Sequence, residues 1–313
     1  KLINRRKAQT MKKNLMTVII LALVLVNLVL TAILAQGHIL LEDVPGVGKT
    51  TLAMAFSKAT NLSYGRMQFT PDVMPSDVTG FSVYNRETGG FEYKEGVIMC
   101  NFFLADEINR TSSKTQSALL EAMEEKKVTV DGKTYQMKKP FVVMATQNPI
   151  GSVGTSMLPE SQLDRFMMRL SMGYPTPSNE AVMLKAKENK TSILESVAHV
   201  VELQDILSIQ EEVSKIFIHD NIYDYIVGLA NATRNNENIL LGVSPRGSVA
   251  VMNASRAVAY MEGRQYVIPD DVKNVLYPVI NHRIILSSKA RAMHMDGKKV
   301  VNDIISSVTV KTK

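Results

Sequence analysis

Ile39-Leu40-Leu41-Glu42-Asp43-Val44-Pro45-Gly46-Val47-Gly48-Lys49-Thr50-Thr51-Leu52-Ala53 runs from an apolar stretch, through a Pro/Gly loop, into residues that favour a helix. Ile39 to Leu41 reads as a short buried strand. Thr51 to Thr60 reads as a helix, with Leu52, Ala53, Met54, Ala55 and Lys58 as its helix formers. Strand, glycine loop, Gly-Lys-Thr and helix is the order of a phosphate-binding loop. Gly46 and Gly48 let the backbone curl so that N–H groups point at phosphate oxygens, and the helix N-terminus adds a favourable dipole. Lys49 would reach the β- and γ-phosphates, and the Thr50 hydroxyl would ligate Mg²⁺. Pro45, Gly46, Val47, Gly48, Lys49, Thr50 and Thr51 are therefore the candidate nucleotide-binding residues. One position departs from G-x-x-x-x-G-K-[ST]: its first glycine is Asp43.

Asn101-Phe102-Phe103-Leu104-Ala105-Asp106-Glu107 follows Lys49 by 57 residues, counted to Asp106. It reads as a buried strand that delivers two acids to its C-terminal edge, where ligands sit in an open α/β sheet. Asp106 would hold the Mg²⁺ shell together with Thr50, and Glu107 would polarise the attacking water. Alone, such a run means a strand entering a solvated turn. Behind a phosphate loop it is the second half of an ATP-hydrolysing site. Phe141 to Thr146 is another buried strand, ending in Gln147-Asn148-Pro149. Asn148 has two readings, an Asx turn before proline or a group that orients the water or touches the γ-phosphate.

Between these strands the pattern changes twice. Phe81, Val83 and Tyr84 on one side of a Gly-containing turn, and Phe91 and Tyr93 on the other, predict a hairpin over residues 79–97. Phe81, Phe91 and Tyr93 have two readings, exposed substrate-gripping residues or the hairpin's packed face, and packing is the expected one. Lys127 to Tyr135, centred on Asp131-Gly132, predicts a second hairpin. Leu158 to Phe166 reads as the end of a helix, and Met168 to Met172 as a last short strand. That makes an α/β unit of about five strands over residues 31–175, with Pro175 and Pro177 marking a linker. Residues 178–313 read as helical. The clearest helix start is Ser244-Pro245-Arg246, with serine at the N-cap and proline in the first turn.

With 313 residues, two domains are the prior. The single cysteine, Cys100, forms no internal disulfide, which suits a reducing, cytoplasmic setting; it sits in an apolar run and reads as core. The net charge of +6 comes from Lys1, Arg5, Arg6, Lys7, Lys12 and Lys13, which precede the first carboxylate, Glu42. The rest is balanced at 30 of each sign. Composition thus gives no basic face, and nucleic acid is not an expected partner.

Residues 1–30 are atypical. Leu15 to Ala35 has only Thr17, Asn27 and Thr31 as polar residues, and after a basic flank it is long enough to span a bilayer. Three readings stand: an anchor that associates the chain with a membrane, a core helix leading into the first strand, and a chimaeric join. Topology favours the core helix. Cations before a single span keep the N-terminus inside and would put the phosphate loop outside, away from ATP.

Taken in order, the phosphate loop, Phe69-Thr70-Pro71-Asp72 with Pro75-Ser76-Asp77, Asp106-Glu107-Ile108-Asn109-Arg110, Ala145-Thr146-Gln147-Asn148-Pro149, Leu163-Asp164-Arg165-Phe166 and Ser244-Pro245-Arg246 resemble a MoxR-type AAA+ ATPase from about Leu30 to Lys313. The resemblance implies an AAA+ P-loop NTPase core, with a parallel five-stranded sheet and β-hairpin inserts, followed by a C-terminal all-α lid. It implies ATP and Mg²⁺ as ligand and cofactor, with Lys49 and Thr50 as the Walker A pair and Asp106 and Glu107 as Walker B. It further implies Asn148 as sensor 1, Arg246 as sensor 2, and Arg165 as an arginine finger offered to a neighbouring subunit. Alternatives at these positions are an Arg165–Asp164 structural pair and a merely solvated Arg246. Members of the family are hexameric rings thought to act as chaperones that remodel or mature partners, often proteins with von Willebrand factor A domains. Two other functions compete: a nucleic-acid motor of a related helicase-like clade, and a membrane-anchored nucleotide-binding protein with weak activity. The family's Ile-Gly-Gln-type segment, which helps to seat adenine, is replaced here by the apolar N-terminal run.

Overall fold

A computed structural model describes residues 23–43, 46–148, 157–177, 179–181, 184 and 193–310. A first helix, α1, covers residues 23–34. The alternation that follows is β1 (Ile39–Glu42), α2 (Lys49–Ala59), β2 (Tyr64–Gln68), α3 (Pro75–Thr79), a hairpin of β3 (Gly80–Asn85) and β4 (Gly90–Glu95), and β5 (Phe102–Asp106). Then come α4 (Ser113–Glu125), a hairpin of β6 (Lys127–Val130) and β7 (Lys133–Gln136), β8 (Val142–Gln147), α5 (Glu160–Leu163) and β9 (Met168–Leu170). Strands β2, β5, β8, β1 and β9 form one parallel sheet in that order.

β5 and β8 are buried at every residue, as strands covered on both faces must be. Their side chains divide alternately between two cores. Ile39, Leu41, Phe102, Leu104, Val142 and Met144 join the cluster that contains α1 and α2. Leu40, Phe103, Ala105, Val143 and Ala145 join the one beneath α4 and the hairpins. Because all five strands run the same way, the ends of β1, β5, β8 and β9 reach one edge. Asp43, Asp106, Glu107, Asn148 and Ser171 meet there.

Both predicted hairpins are present. Tyr93 of β4 stacks on Tyr135 of β7, with centroids 3.9 Å apart, so the two inserts touch. The expectation that the hairpin's rings pack holds for Tyr93 and fails for Phe81 and Phe91. Phe81 and Phe91 are 50% and 70% exposed, and Tyr84 meets only Phe91 edge-on. The root of this hairpin requires glycine. A Cβ on Gly96 would lie 2.1 Å from the Val78 carbonyl, and Gly80 holds φ +91°.

The helix expected through Phe166 is shorter, and Asp164, Arg165 and Phe166 follow α5 in a turn. The carbonyls of Asp164 and Phe166 accept from Arg283 instead of continuing a helical ladder. Beyond residue 200 come α6 (Leu203–Lys215), α7 (Asp220–Arg234), α8 (Pro245–Met261), α9 (Pro269–Ile280), α10 (Ser288–Ala292) and α11 (Gly297–Ser307). Ser244 caps α8 as expected, accepting from the Gly247 N–H at 3.1 Å. An antiparallel pair, β10 (Ile239–Leu241) with β11 (Ile285–Leu286), interrupts the otherwise helical reading.

α1 crosses residue 30 without a break. Val29, Ala32 and Ile33 are buried against the sheet, and Thr31 and Asn27 bond back to carbonyls of their own helix. Residues 23–34 are thus a core helix. Among the described residues no helix is long and apolar enough to cross a membrane. The anchor and join readings of residues 1–22 lie outside the described residues.

Candidate functional site

The phosphate loop begins where β1 ends. Gly46 and Gly48 both hold positive φ, +85° and +98°, and Gly48 is the N-cap of α2. A side chain would be strained at either position. Pro45 lies outside the described residues. Val47 is half-buried, and Thr51 is exposed on the first turn of α2. Asp43, in place of the motif's first glycine, braces the far side of the loop. Its carboxylate accepts from the Ser171 hydroxyl (3.1 Å), the Met172 N–H and the Gly173 N–H (2.9 Å), all just past β9.

Lys49 is 7% exposed and donates to the Asp43 carbonyl (2.7 Å) and to Asn148 Oδ1 (2.9 Å). Burial lowers its pKa, opposed chiefly by the charge of Asp43, then by Asp106, Glu107 and Glu42. Thr50 Oγ1 lies 3.4 Å from Asp106 Oδ2, so a hydroxyl and a carboxylate oxygen converge. Thr146 donates to Asp106 Oδ1 (2.7 Å) and accepts from the Glu107 N–H (2.8 Å), which fixes both acids from the neighbouring strand. Glu107 itself is left-handed, at φ +57°. Its carboxylate accepts from Asn148 Nδ2 (3.1 Å) and from Arg110 (2.6 Å). Lys49, Thr50, Asp106, Glu107 and Asn148 therefore form one connected cluster.

Two arginines that sequence reading left aside join this cluster. Arg66 of β2 pairs with Asp106 Oδ2 at 2.9 Å, and Arg110 pairs with Glu107. Arg110 stood inside a quoted motif. The only signal for Arg66 was a lone cation just before the second predicted strand.

Arg165 and Arg246 are not in contact with that cluster. They meet each other's partner, Glu124 of α4: Arg165 Nη1 is 3.2 Å from Oε2, and Arg246 Nη2 bonds Oε1. Asp164 pairs with Arg283 and Arg246, so the Arg165–Asp164 pair is absent. Arg283 had no signal in the sequence.

Beside Asp43 a cavity of about 780 Å³ opens between β1, β9 and the helices α1, α9 and α11. Val24, Leu25 and Leu28 form an apolar wall, and Tyr277, Lys273 and Asn281 face it from α9 and its end. Its size suits a small organic group, and its walls are mainly apolar with a few polar atoms.

Comparison with known proteins fits this geometry. The family described as "ATPase family associated with various cellular activities (AAA)" matches residues 38–168, and an AAA lid domain matches residues 231–304. The chain is 50% identical to the uncharacterized protein YeaC of Bacillus subtilis, over 90% of this chain and 88% of that one. It is 38% identical to the chaperone MoxR1 of Mycobacterium tuberculosis, over 91% of this chain and 78% of that one. The crystal structure of an ATPase candidate from Cytophaga hutchinsonii superposes with a TM-score of 0.84 at 36% identity, covering 99% of this chain and 98% of that one.

Proposed function

The chain belongs to the MoxR family of AAA+ ATPases, and from that premise we propose that it binds ATP with Mg²⁺ and hydrolyses it to remodel partner proteins. The observation that carries this reading is the single cluster joining Lys49, Thr50, Asp106, Glu107 and Asn148. We take residues 31–175 with α1 as the nucleotide-binding core and residues 178–313 as its lid.

In this reading residues 45–51 cradle the phosphates, and Lys49 exchanges its amide and carbonyl partners for β- and γ-phosphate oxygens. The purine enters the cavity beside Asp43, with the apolar wall of α1 in the role of the missing adenine-seating segment. The Thr50 hydroxyl and Asp106 carboxylate are hard oxygen donors that suit Mg²⁺, which when bound would neutralise charge on the phosphate oxygens. Glu107 accepts the proton of the attacking water, and Asn148 orients both groups. Arg165 and Arg246 bond Glu124 rather than the cluster of their own site, so we assign both to the γ-phosphate of a neighbouring copy, in a homo-hexameric ring. Clients with von Willebrand factor A domains and a cytoplasmic setting follow from the resemblance.

Steady-state ATP hydrolysis on wild type beside Glu107→Gln, with size-exclusion chromatography with and without ATP, tests the proposal. Glu107→Gln should still assemble with ATP while turnover falls by about 10²-fold or more. Unchanged turnover in that variant would remove Glu107 from the mechanism.

A further inference from the structure

We propose that Asp164 and Arg283 form a buried joint between core and lid that aims Arg165 and Arg246, as a pair, at one anion. Both are positioning residues. The proposal rests on the assignment of Arg165 and Arg246 to a neighbour's nucleotide.

The Arg283 side chain is 2% exposed, and a buried guanidinium is costly unless its donors are met. It meets most of them on the turn that carries Arg165, with Val279 and the His282 ring (2.8 Å) beside it taking part of Nη1. Nε bonds Asp164 Oδ1 (2.7 Å), Nη2 bonds the carbonyls of Asp164 (2.9 Å) and Phe166 (2.6 Å), and Nη1 bonds those of Met167 (3.1 Å) and Val279. The backbone on both sides of Arg165 is thereby held by a residue just beyond α9.

The same carboxylate reaches Arg246. Ser244 Oγ donates to Asp164 (2.9 and 3.1 Å) while capping α8, and Arg246 Nη1 lies 3.8 Å from Asp164 Oδ2. The first turn of α8 is pressed on Arg283, since a Cβ at Gly247 would come within 2.9 Å of its Cδ. One ion pair, its guanidinium buried and its carboxylate largely so, thus sets the approach of two arginines that come from different parts of the chain.

Their convergence marks a target. Each arginine takes a different oxygen of Glu124, so two guanidiniums grip one carboxylate as they would a phosphate. Arg165 Nε is moreover buried with no hydrogen-bond partner. A terminal phosphate on a second copy of this chain has the charge and oxygen count to displace Glu124.

Mixing of full-length variants tests the joint. Arg165→Ala keeps its own site but lacks the finger, whereas Glu107→Gln has a dead site and an intact finger. If the finger acts on a neighbour, the mixture should turn over faster than either variant alone. Asp164→Asn should behave as Arg165→Ala does: kcat down by about 10-fold or more, KM for ATP within about 2-fold, and turnover restored by mixing with Glu107→Gln. A merely structural Asp164 would give a loss that mixing does not repair. Ser244→Ala, which cuts only the tie to α8, provides a second variant should Asp164→Asn not fold, and Ser244→Thr should restore activity. Rescue of Arg165→Ala without rescue of Asp164→Asn or Ser244→Ala overturns the joint and leaves the neighbour assignment standing. No rescue of Arg165→Ala overturns that assignment and the joint with it.

Discussion

Asp43 shows how a motif departure is absorbed. The glycine it replaces would leave the residues after β9 without an anchor, whereas the carboxylate fixes Ser171, Met172 and Gly173 while its own carbonyl holds Lys49. His38 matters differently. It is buried, with Nε2 donating to the Met123 carbonyl (3.1 Å) and Nδ1 accepting from the Val143 N–H (3.0 Å), a pattern only the neutral ring can make. Burial lowers its pKa from 6.5 to about 4. The native state therefore holds fewer protons than the unfolded chain between those values, and stability must fall as pH drops from 6.5 towards 4. The loss is on the order of 3 kcal/mol. Denaturant titrations at pH 7 and pH 4 should show it in wild type, with a smaller pH-dependent loss in His38→Gln.

The two hairpins act as one unit at the next scale. Neither two-stranded sheet would hold alone; the Tyr93–Tyr135 stack joins them, and the Tyr93 hydroxyl, donating to the Thr79 carbonyl at 2.5 Å, ties the first to the end of α3. A double-mutant cycle with Tyr93→Ala and Tyr135→Ala should return a coupling of about 1 kcal/mol in unfolding free energy. Additive single effects would mean that the stack contributes nothing. These elements also divide what sequence could say from what it could not. β1, α2, β5 and β8 were legible because each is an apolar run bounded by turn residues, and parallel strands order their C-terminal acids automatically. Which side of the first hairpin is covered was not legible. Alternation pairs Tyr84 with Phe91 and Ser82 with Tyr93, but it says nothing about where Tyr135 lies. β10 and β11 were too short to leave a pattern, and Arg283 is a lone cation whose importance comes from long-range contacts. The site divides similarly. Lys49, Thr50, Asp106 and Glu107 sit in local motifs, while Arg66 reaches Asp106 only because β2 and β5 are neighbours.

Across the whole molecule, α1 does the work of a core element despite its membrane-like composition. Burial of Val29 and Ile33 alone is worth roughly 3–6 kcal/mol. A chain starting at Gln36 should therefore melt lower by on the order of 10 °C, read by calorimetry. An unchanged melting temperature would return residues 23–34 to the status of an appendage. One apolar cluster runs from α1 and the sheet into α7, α8, α9 and α11. A lid fused to its core in this way has no cheap gate-like swing, because opening would wet a shared interior. Any displacement of the lid would have to be a rotation of the whole body, which would carry the outlying rings of Phe81 and Phe91 with it.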